Sequence, residues 1–349
     1  LYAQAYFAYD SKKSGGITVS HLRFGPKPIK STYLINKANF VACHNPSYVD
    51  KYKMVQDLVP GGSFLLNCAW DVDELTKRLP ADMKRYIAQN NISLYTVDAI
   101  GIAQKLGLGN KTNMVLQSAF FKIANVIPFE DAKKYMKEAV VKSFGAKGEK
   151  IVNMNHAAID EGEKNIKKID VPKEWANSVD APAEAAADVP GFVKDILIPC
   201  NAQEGDKIPV STFTGREDGH LDVGSSAYEK RGIAVDVPEW IPENCIQCNQ
   251  CSLVCPHAAI RPVVLNPEEA ANAPKNMKMK QMTGKGNENY QFGIAVTVLD
   301  CSGCGNCAKV CPAKEKALVM KPIDTQRDQQ ECFDYGIRVS VKEELQNAP

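Results

Sequence analysis

Eight cysteines have the types and spacing to do chemistry. They form two groups, Cys245-Ile-Gln-Cys248-Asn-Gln-Cys251-Ser-Leu-Val-Cys255-Pro256 and Cys301-Ser-Gly-Cys304-Gly-Asn-Cys307-Ala-Lys-Val-Cys311-Pro312. Both fit C-x2-C-x2-C-x3-C-P, the bacterial run that holds 4Fe–4S clusters. Three thiolates so spaced can curl around three corners of a small cube, and the proline turns the chain away so that the fourth reaches elsewhere. In two-cluster proteins that fourth cysteine ligates the other cluster. The spacing therefore predicts one cluster on Cys245, Cys248, Cys251 and Cys311, and a second on Cys301, Cys304, Cys307 and Cys255. Zinc also uses C-x2-C pairs, but it closes on four ligands tetrahedrally and is a poor match to this pattern repeated twice. A disulfide framework belongs to small, core-poor secreted chains, and 349 residues make this chain neither small nor core-poor. The cysteines read as metal ligands in a reducing compartment. Gly303 and Gly305 let the backbone pass close to the sulfurs. The first loop has no charged side chain and the second only Lys309. Low polarity lowers a cluster's potential, whereas N–H bonds to sulfur raise it.

Other residues offer less. Cys43 and Cys68 end apolar runs and read as small buried hydrophobes. Cys200 and Cys332 are isolated, so a third cluster is not expected from these four. Gly107-Leu-Gly109 lacks a third glycine in register and reads as a helix C-cap rather than a dinucleotide fingerprint. There is no G-x-x-x-x-G-K-[ST], and the five histidines show no H-E-x-x-H spacing. His257 reads as packed or solvated, and Trp70, Trp175 and Trp240 as packing residues. Ser11-Lys12-Lys13-Ser14-Gly15-Gly16 combines lysines, hydroxyls and glycines before a strand. Such a loop either holds phosphates through N–H groups and ammonium charge or is a solvated turn.

The positioning elements follow from periodicity. Strands are expected at 16–24, 39–43, 63–67 and 92–97, and helices at 46–59, 71–90, 113–126 and 129–144. Strands separated by helices predict a largely parallel sheet covered on its faces. In 170–199 four prolines and the acidic, alanine-rich run 181–190 predict a linker draped over a surface. The last third repeats itself. Gly232-Ile-Ala-Val-Asp-Val237 and Gly293-Ile-Ala-Val-Thr-Val298 precede the cysteine groups, and apolar runs 259–265 and 317–323 follow them. Segment 266–291 reads as a surface insertion between the repeats. With 42 basic and 41 acidic residues, the net charge of +1 argues against nucleic acid as a partner. No apolar run reaches the roughly 18 residues of a membrane span. The chain opens on Leu1 without a signal-peptide pattern, which reads as a trimmed start or a section of a longer chain.

Tyr9-Asp-Ser-Lys-Lys-Ser-Gly-Gly-Ile-Thr-Val-Ser-His-Leu-Arg-Phe-Gly25, with Ala42-Cys-His-Asn-Pro46 and Asn113-Met-Val, resembles the gamma domain of the pyruvate:ferredoxin (flavodoxin) oxidoreductase family. Tyr228-Glu-Lys-Arg-Gly-Ile-Ala-Val235 resembles the short Glu-Lys-Arg domain of the single-chain form, and a two-cluster module follows in the same order. The resemblance implies three parts. These are an α/β domain with a mostly parallel sheet over 1–168, an irregular linker with the Glu-Lys-Arg domain over 169–231, and an α+β two-cluster bacterial-type ferredoxin domain over 232–349. It implies oxidative decarboxylation of pyruvate with coenzyme A to acetyl-CoA and CO2, with ferredoxin or flavodoxin as acceptor. Coenzyme A would be held by Lys12, Lys13, Ser14 and Asn113. Thiamine diphosphate, Mg2+ and a third 4Fe–4S cluster are expected elsewhere in the full enzyme, since their motifs are not in this section. The resemblance also implies the remaining domains as partners, a homodimer, and a cytoplasmic site in an anaerobic bacterium. The rival readings are a stand-alone electron carrier and a redox subunit of another oxidoreductase; neither requires the gamma-like loop and the Glu-Lys-Arg segment together.

Overall fold

Tyr2–Tyr9 (β1) carries four aromatic residues and Thr18–Gly25 (β2) opens on the β-branched pair Thr18-Val19, and the two runs pair antiparallel from Tyr2↔Gly25 to Tyr9↔Thr18. This computed structural model describes residues 1–10, 16–180 and 189–345, in two units, Leu1–Gly215 and Arg216–Pro349. Lys12, Lys13 and Ser14 lie outside the described residues.

The first unit is centred on a four-stranded sheet ordered β3-β4-β5-β6: Ala38–Cys43, Leu58–Asn67, Ser93–Val97 and Lys167–Ile169. The first three strands run parallel and β6 runs antiparallel at the edge. Side-chain alternation along β4 splits the core into two layers. Phe64 and Leu66 pack with Leu75, Ile87 and Leu94 on one face, and Leu65 packs with Val97, Ile102, Val115 and Ala158 on the other. Helices α1 (Val72–Arg78) and α2 (Ala81–Gln89) cover the first face. On the second lie α3 (Ala99–Lys105), α4 (Asn113–Ala124) and α6 (Glu149–Lys164), with α5 (Phe129–Phe144) packed on α6.

Several expectations hold and several are corrected. Asp71 caps α1 by accepting the Glu74 N–H at 2.9 Å. The single helix expected over 71–90 is broken at Leu79-Pro80, because proline cannot continue the α1 ladder. No long helix fills 46–59. A three-residue turn at Pro46–Tyr48 gives way to a loop anchored by buried Tyr52 and Val55, and Leu58 already belongs to β4. Of the apolar residues Val55, Leu58 and Val59 that suggested a helix, Val55 anchors the loop and Leu58 and Val59 begin β4. Gly107 terminates α3 as expected: its N–H bonds the Gln104 carbonyl at 3.0 Å and the Leu108 N–H bonds Ala103 at 2.8 Å. The linker is not wholly a surface drape. Trp175, in a short turn at Lys173–Asn177, is 1% exposed within the α1–α2 layer. Further on, Phe192, Val193, Ile196 and Leu197 form their own small cluster before α7 (Ile198–Asn201).

In the second unit the repeats interlock. The strand before the first cysteine loop is β7 (Asp236–Trp240), a few residues later than expected, and the strand after it is β8 (Ile260–Leu265). The second repeat supplies β10 (Gln291–Val296) and β11 (Leu318–Pro322). Strand β7 pairs antiparallel with β11, and β8 with β10, so each strand pairs with one from the other repeat. Short helices follow within the loops, α8 (Gln250–Leu253) and α10 (Asn306–Val310). Segment 266–291 is more than a surface insertion. It forms α9 (Pro267–Ala271), adds β9 (Lys280–Gln281) to the edge of β10, and buries Met277 against Val263, Leu265 and Phe333. The C-terminal α11 (Gln329–Gly336) supplies Phe333 to that cluster. Among the described residues no helix is long and apolar enough to cross a membrane.

Candidate metal centre

The two cysteine loops have one backbone design. Gln247 and Asn249 flank Cys248 with φ of 57° and 58°, and Gly303 and Gly305 flank Cys304 with φ of 70° and 72°. In each loop this turn aims an N–H back at the first sulfur: Gln247 donates to Cys245 Sγ at 3.4 Å, and Gly303 to Cys301 Sγ at 3.4 Å. Glycine is needed at 303 for a second reason, since a Cβ there would lie 2.9 Å from the Asp236 carbonyl. The first loop accepts side chains in the left-handed region and uses one of them. Gln247 donates from Nε2 to the Gln281 carbonyl at 2.7 Å, and its Oε1 accepts the Thr283 N–H at 2.9 Å.

The structure brings Cys255, Cys301, Cys304 and Cys307 to the wall of one cavity, together with Pro238, His257 and Ser302. Cys255 comes from the first repeat and the other three from the second, the grouping that the spacing predicts for the second cluster. Its Sγ accepts the Ala259 N–H at 3.2 Å. Cys245 and Cys248 lie close enough to Cys251 to act on it electrostatically. Cys311 is buried in the core that also touches Cys245 and Cys251. Cys248 and Cys304, at the tips of the loops, are exposed. His257 sits with its Nδ1 3.5 Å from the Ser302 hydroxyl.

These residues fit a cluster core. Burial pushes the Cys251 thiol up to about 11 and Cys307 up to about 12, with neighbouring cysteines adding to the rise. Thiols so placed ionise together only around a cationic centre, which metal coordination provides. No three described His, Cys, Asp or Glu side chains converge on a single ion; a four-iron cube asks for no such convergence, because each thiolate takes its own iron. None of the twelve cysteines is in a disulfide.

Two lysines that motif reading missed stand beside these loops. Lys280, on β9, donates to the carbonyls of Pro242 and Cys245, both at 2.8 Å. Lys316 donates to the carbonyls of Cys311 at 2.5 Å and Lys309 at 3.2 Å. Their target is a carbonyl, which every residue has, so no sequence signal marks the pairing. Of the residues tied to coenzyme A by resemblance, Asn113 is described: it is exposed at the first turn of α4. The scattered cysteines do not join the loops. Cys43 and Cys68 are buried together in the first unit's core, and Cys332 is buried in the second. Trp175 and Trp240 are buried, as packing residues should be.

Three family models match the chain in succession. The one described as pyruvate ferredoxin/flavodoxin oxidoreductase matches residues 1–164, a domain of unknown function designated EKR matches 179–234, and a 4Fe-4S dicluster domain matches 241–314. The chain is 54% identical over 347 residues to a pyruvate-flavodoxin oxidoreductase of Enterobacter agglomerans, covering 99% of this chain and 29% of that protein. It is 55% identical over 324 residues to a pyruvate:ferredoxin oxidoreductase of Moorella thermoacetica, covering 93% of this chain and 28% of that protein. A pyruvate dehydrogenase [NADP(+)] of Cryptosporidium parvum is 41% identical over 373 residues, covering 99% of this chain and 19% of that protein.

Proposed function

Since this chain matches an internal section of the pyruvate-flavodoxin/ferredoxin oxidoreductases, we propose that it is the electron-carrying section of such an enzyme. In that reading the whole protein oxidatively decarboxylates pyruvate with coenzyme A, giving acetyl-CoA and CO2, and passes single electrons to ferredoxin or flavodoxin. The observation that carries it is the convergence of Cys255 with Cys301, Cys304 and Cys307 on one cavity, across two repeats. The ligand sets are Cys245, Cys248, Cys251 and Cys311 for one 4Fe–4S cluster, and Cys301, Cys304, Cys307 and Cys255 for the other. When bound, each cluster accepts and releases one electron at a time; the protein sets its position and potential.

Residues 1–168 contribute to binding coenzyme A, with Lys12, Lys13 and Ser14 toward its phosphates. Asn113 supports this from the first turn of α4, where helical N–H groups favour an anion. The same section recurs in relatives named for flavodoxin, ferredoxin and NADP(+). The acceptor is therefore chosen outside it, and the section's own task is transfer between clusters.

The test is anaerobic and uses the intact protein containing this chain. Iron–sulfur absorbance is followed on adding pyruvate and then coenzyme A. Bleaching that coenzyme A accelerates is the expected result. Clusters that stay oxidised with pyruvate, yet accept electrons from dithionite, would point to a different donor and to an electron carrier or a redox subunit of another oxidoreductase.

A further inference from the structure

The two loops are nearly equivalent in backbone, but the charge placed on them is not. Lys280 holds the Cys245 carbonyl and Lys316 the Cys311 carbonyl. In the ligand reading above, on which this inference rests, both cysteines belong to the same cluster, together with Cys248 and Cys251. Neither ammonium has a carboxylate partner among the described residues, unlike Lys278, which is paired with Glu239 at 2.7 Å. Beside the other group, Lys230 is bonded to Asp300, the residue before Cys301, and is neutralised by it, with Thr297 Oγ1 at 3.5 Å. Lys309 follows Cys307 in sequence and is exposed, as Lys316 is, but among the described residues no hydrogen bond holds its ammonium against a cysteine's carbonyl as the Cys311 carbonyl holds that of Lys316.

We propose that Lys280 and Lys316 make the site of Cys245, Cys248, Cys251 and Cys311 the more easily reduced of the two. Reduction adds one negative charge, and a net positive charge held against a ligand's own carbonyl stabilises it. The first-sulfur N–H bonds occur in both loops at 3.4 Å and cancel. The Ala259 N–H on Cys255 Sγ favours the other site, but a neutral dipole falls off faster than a full charge and does not offset two lysines. One electron therefore passes downhill from the group on Cys301, Cys304, Cys307 and Cys255, which is oxidised, to the group on the other four cysteines, which is reduced. The Lys280 side of the clamp comes from the segment between the repeats, where Lys280, Gln281 and Thr283 all bond the first loop. The interruption of the repeat thus supplies one of the two charges that distinguish the sites, and Lys316, five residues after Cys311, supplies the other.

The experiment is a potentiometric titration of the intact protein, followed by electron paramagnetic resonance at pH 8. Cys248→Ser and Cys304→Ser first mark which reduced signal belongs to which loop. Lys280→Gln and Lys316→Gln should then each lower the midpoint of the Cys248-marked signal by about 59 mV, tenfold in a one-electron equilibrium. The Cys304-marked signal should stay in place, as should both signals in Lys285→Gln, an exposed residue of the same segment. Lys280→Arg, which keeps the charge, should restore most of the midpoint and so separates charge from folding. Unmoved midpoints in both glutamine variants would overturn the proposal. A shift of the Cys248-marked signal by Lys280→Gln, with the Cys304-marked signal moved by Lys316→Gln, would instead overturn the assignment of Cys311.

Discussion

A thiol among apolar side chains keeps its proton, and Cys43 and Cys68 show how far this goes. Burial pushes both up from 9.0 to about 12, which cuts the thiolate at neutral pH by about a thousandfold. The thiolate is the nucleophile. On the folded chain at pH 8, iodoacetamide should label exposed Cys200 while Cys43 and Cys68 stay unmodified, as read by peptide mass spectrometry. Equal labelling of all three would show that the β3–β4 end opens. The stability consequence has a definite sign. Because the folded values are raised, the contribution is complete below pH 9 and is lost as pH rises to about 12. At this scale the sequence was readable wherever function depends on local spacing. The two like-built cysteine loops, the burial of Cys43 and Cys68, and the packing role of Trp175 all follow from their near neighbours. Lys280 and Lys316 do not, because their bonds end on carbonyls and Lys280 reaches across 35 residues to Cys245.

Elements were readable where a single face decides. Helix α5 spans Phe129–Phe144 as expected, and of the apolar stripe that suggested it, Ala132, Met136 and Val140 are buried while Tyr135 and Ala139 are exposed. Residues 46–59 misled for the same reason: Val55 and Leu58 do face a core, but from a loop and a strand. Trp175 is the sharper case. It lies in a stretch whose prolines suggested a surface path, yet its ring fills the layer under α2 and its Nε1 donates to Thr76 Oγ1 at 3.0 Å. Arg85 and Gln89 of α2 bond the Ser178 and Ala176 carbonyls beside it, at 2.6 and 2.9 Å. One aromatic thus fastens the segment to α1 and α2. Trp175→Ala should cost about 3–5 kcal/mol, as large-to-small aromatic substitutions in cores do. Trp175→Phe, which mainly loses the hydrogen bond, should cost nearer about 1 kcal/mol. Hydrogen exchange of the β4 and β5 amides reads both. An alanine variant with unchanged protection would return the segment to the surface.

For the whole molecule the question is which part the clusters hold together. The first unit's two main cores contain none of the eight loop cysteines. The second unit's core buries Cys307 and Cys311 and packs Cys245, Cys251, Cys255 and Cys301 against Trp240, Ile260 and Leu318. The sequence repeat foretold two similar loops, and the crossed ligand sets proposed above require them to fold as one. Strand pairing across the repeats, β7 with β11 and β8 with β10, carries the same dependence into the backbone. Metal-binding energy is folding energy where the site does not survive unfolding. Oxidative removal of iron with a chelator should therefore strip amide protection from β7, β8, β10 and β11 and leave β3, β4 and β5 protected. The asymmetry is the diagnostic. Loss of protection in both units together would mean that the first also depends on the clusters. Undiminished protection of β7 and β11 would mean that apolar packing around Trp240 alone suffices, and that the thiols are passengers on a sheet that folds without them.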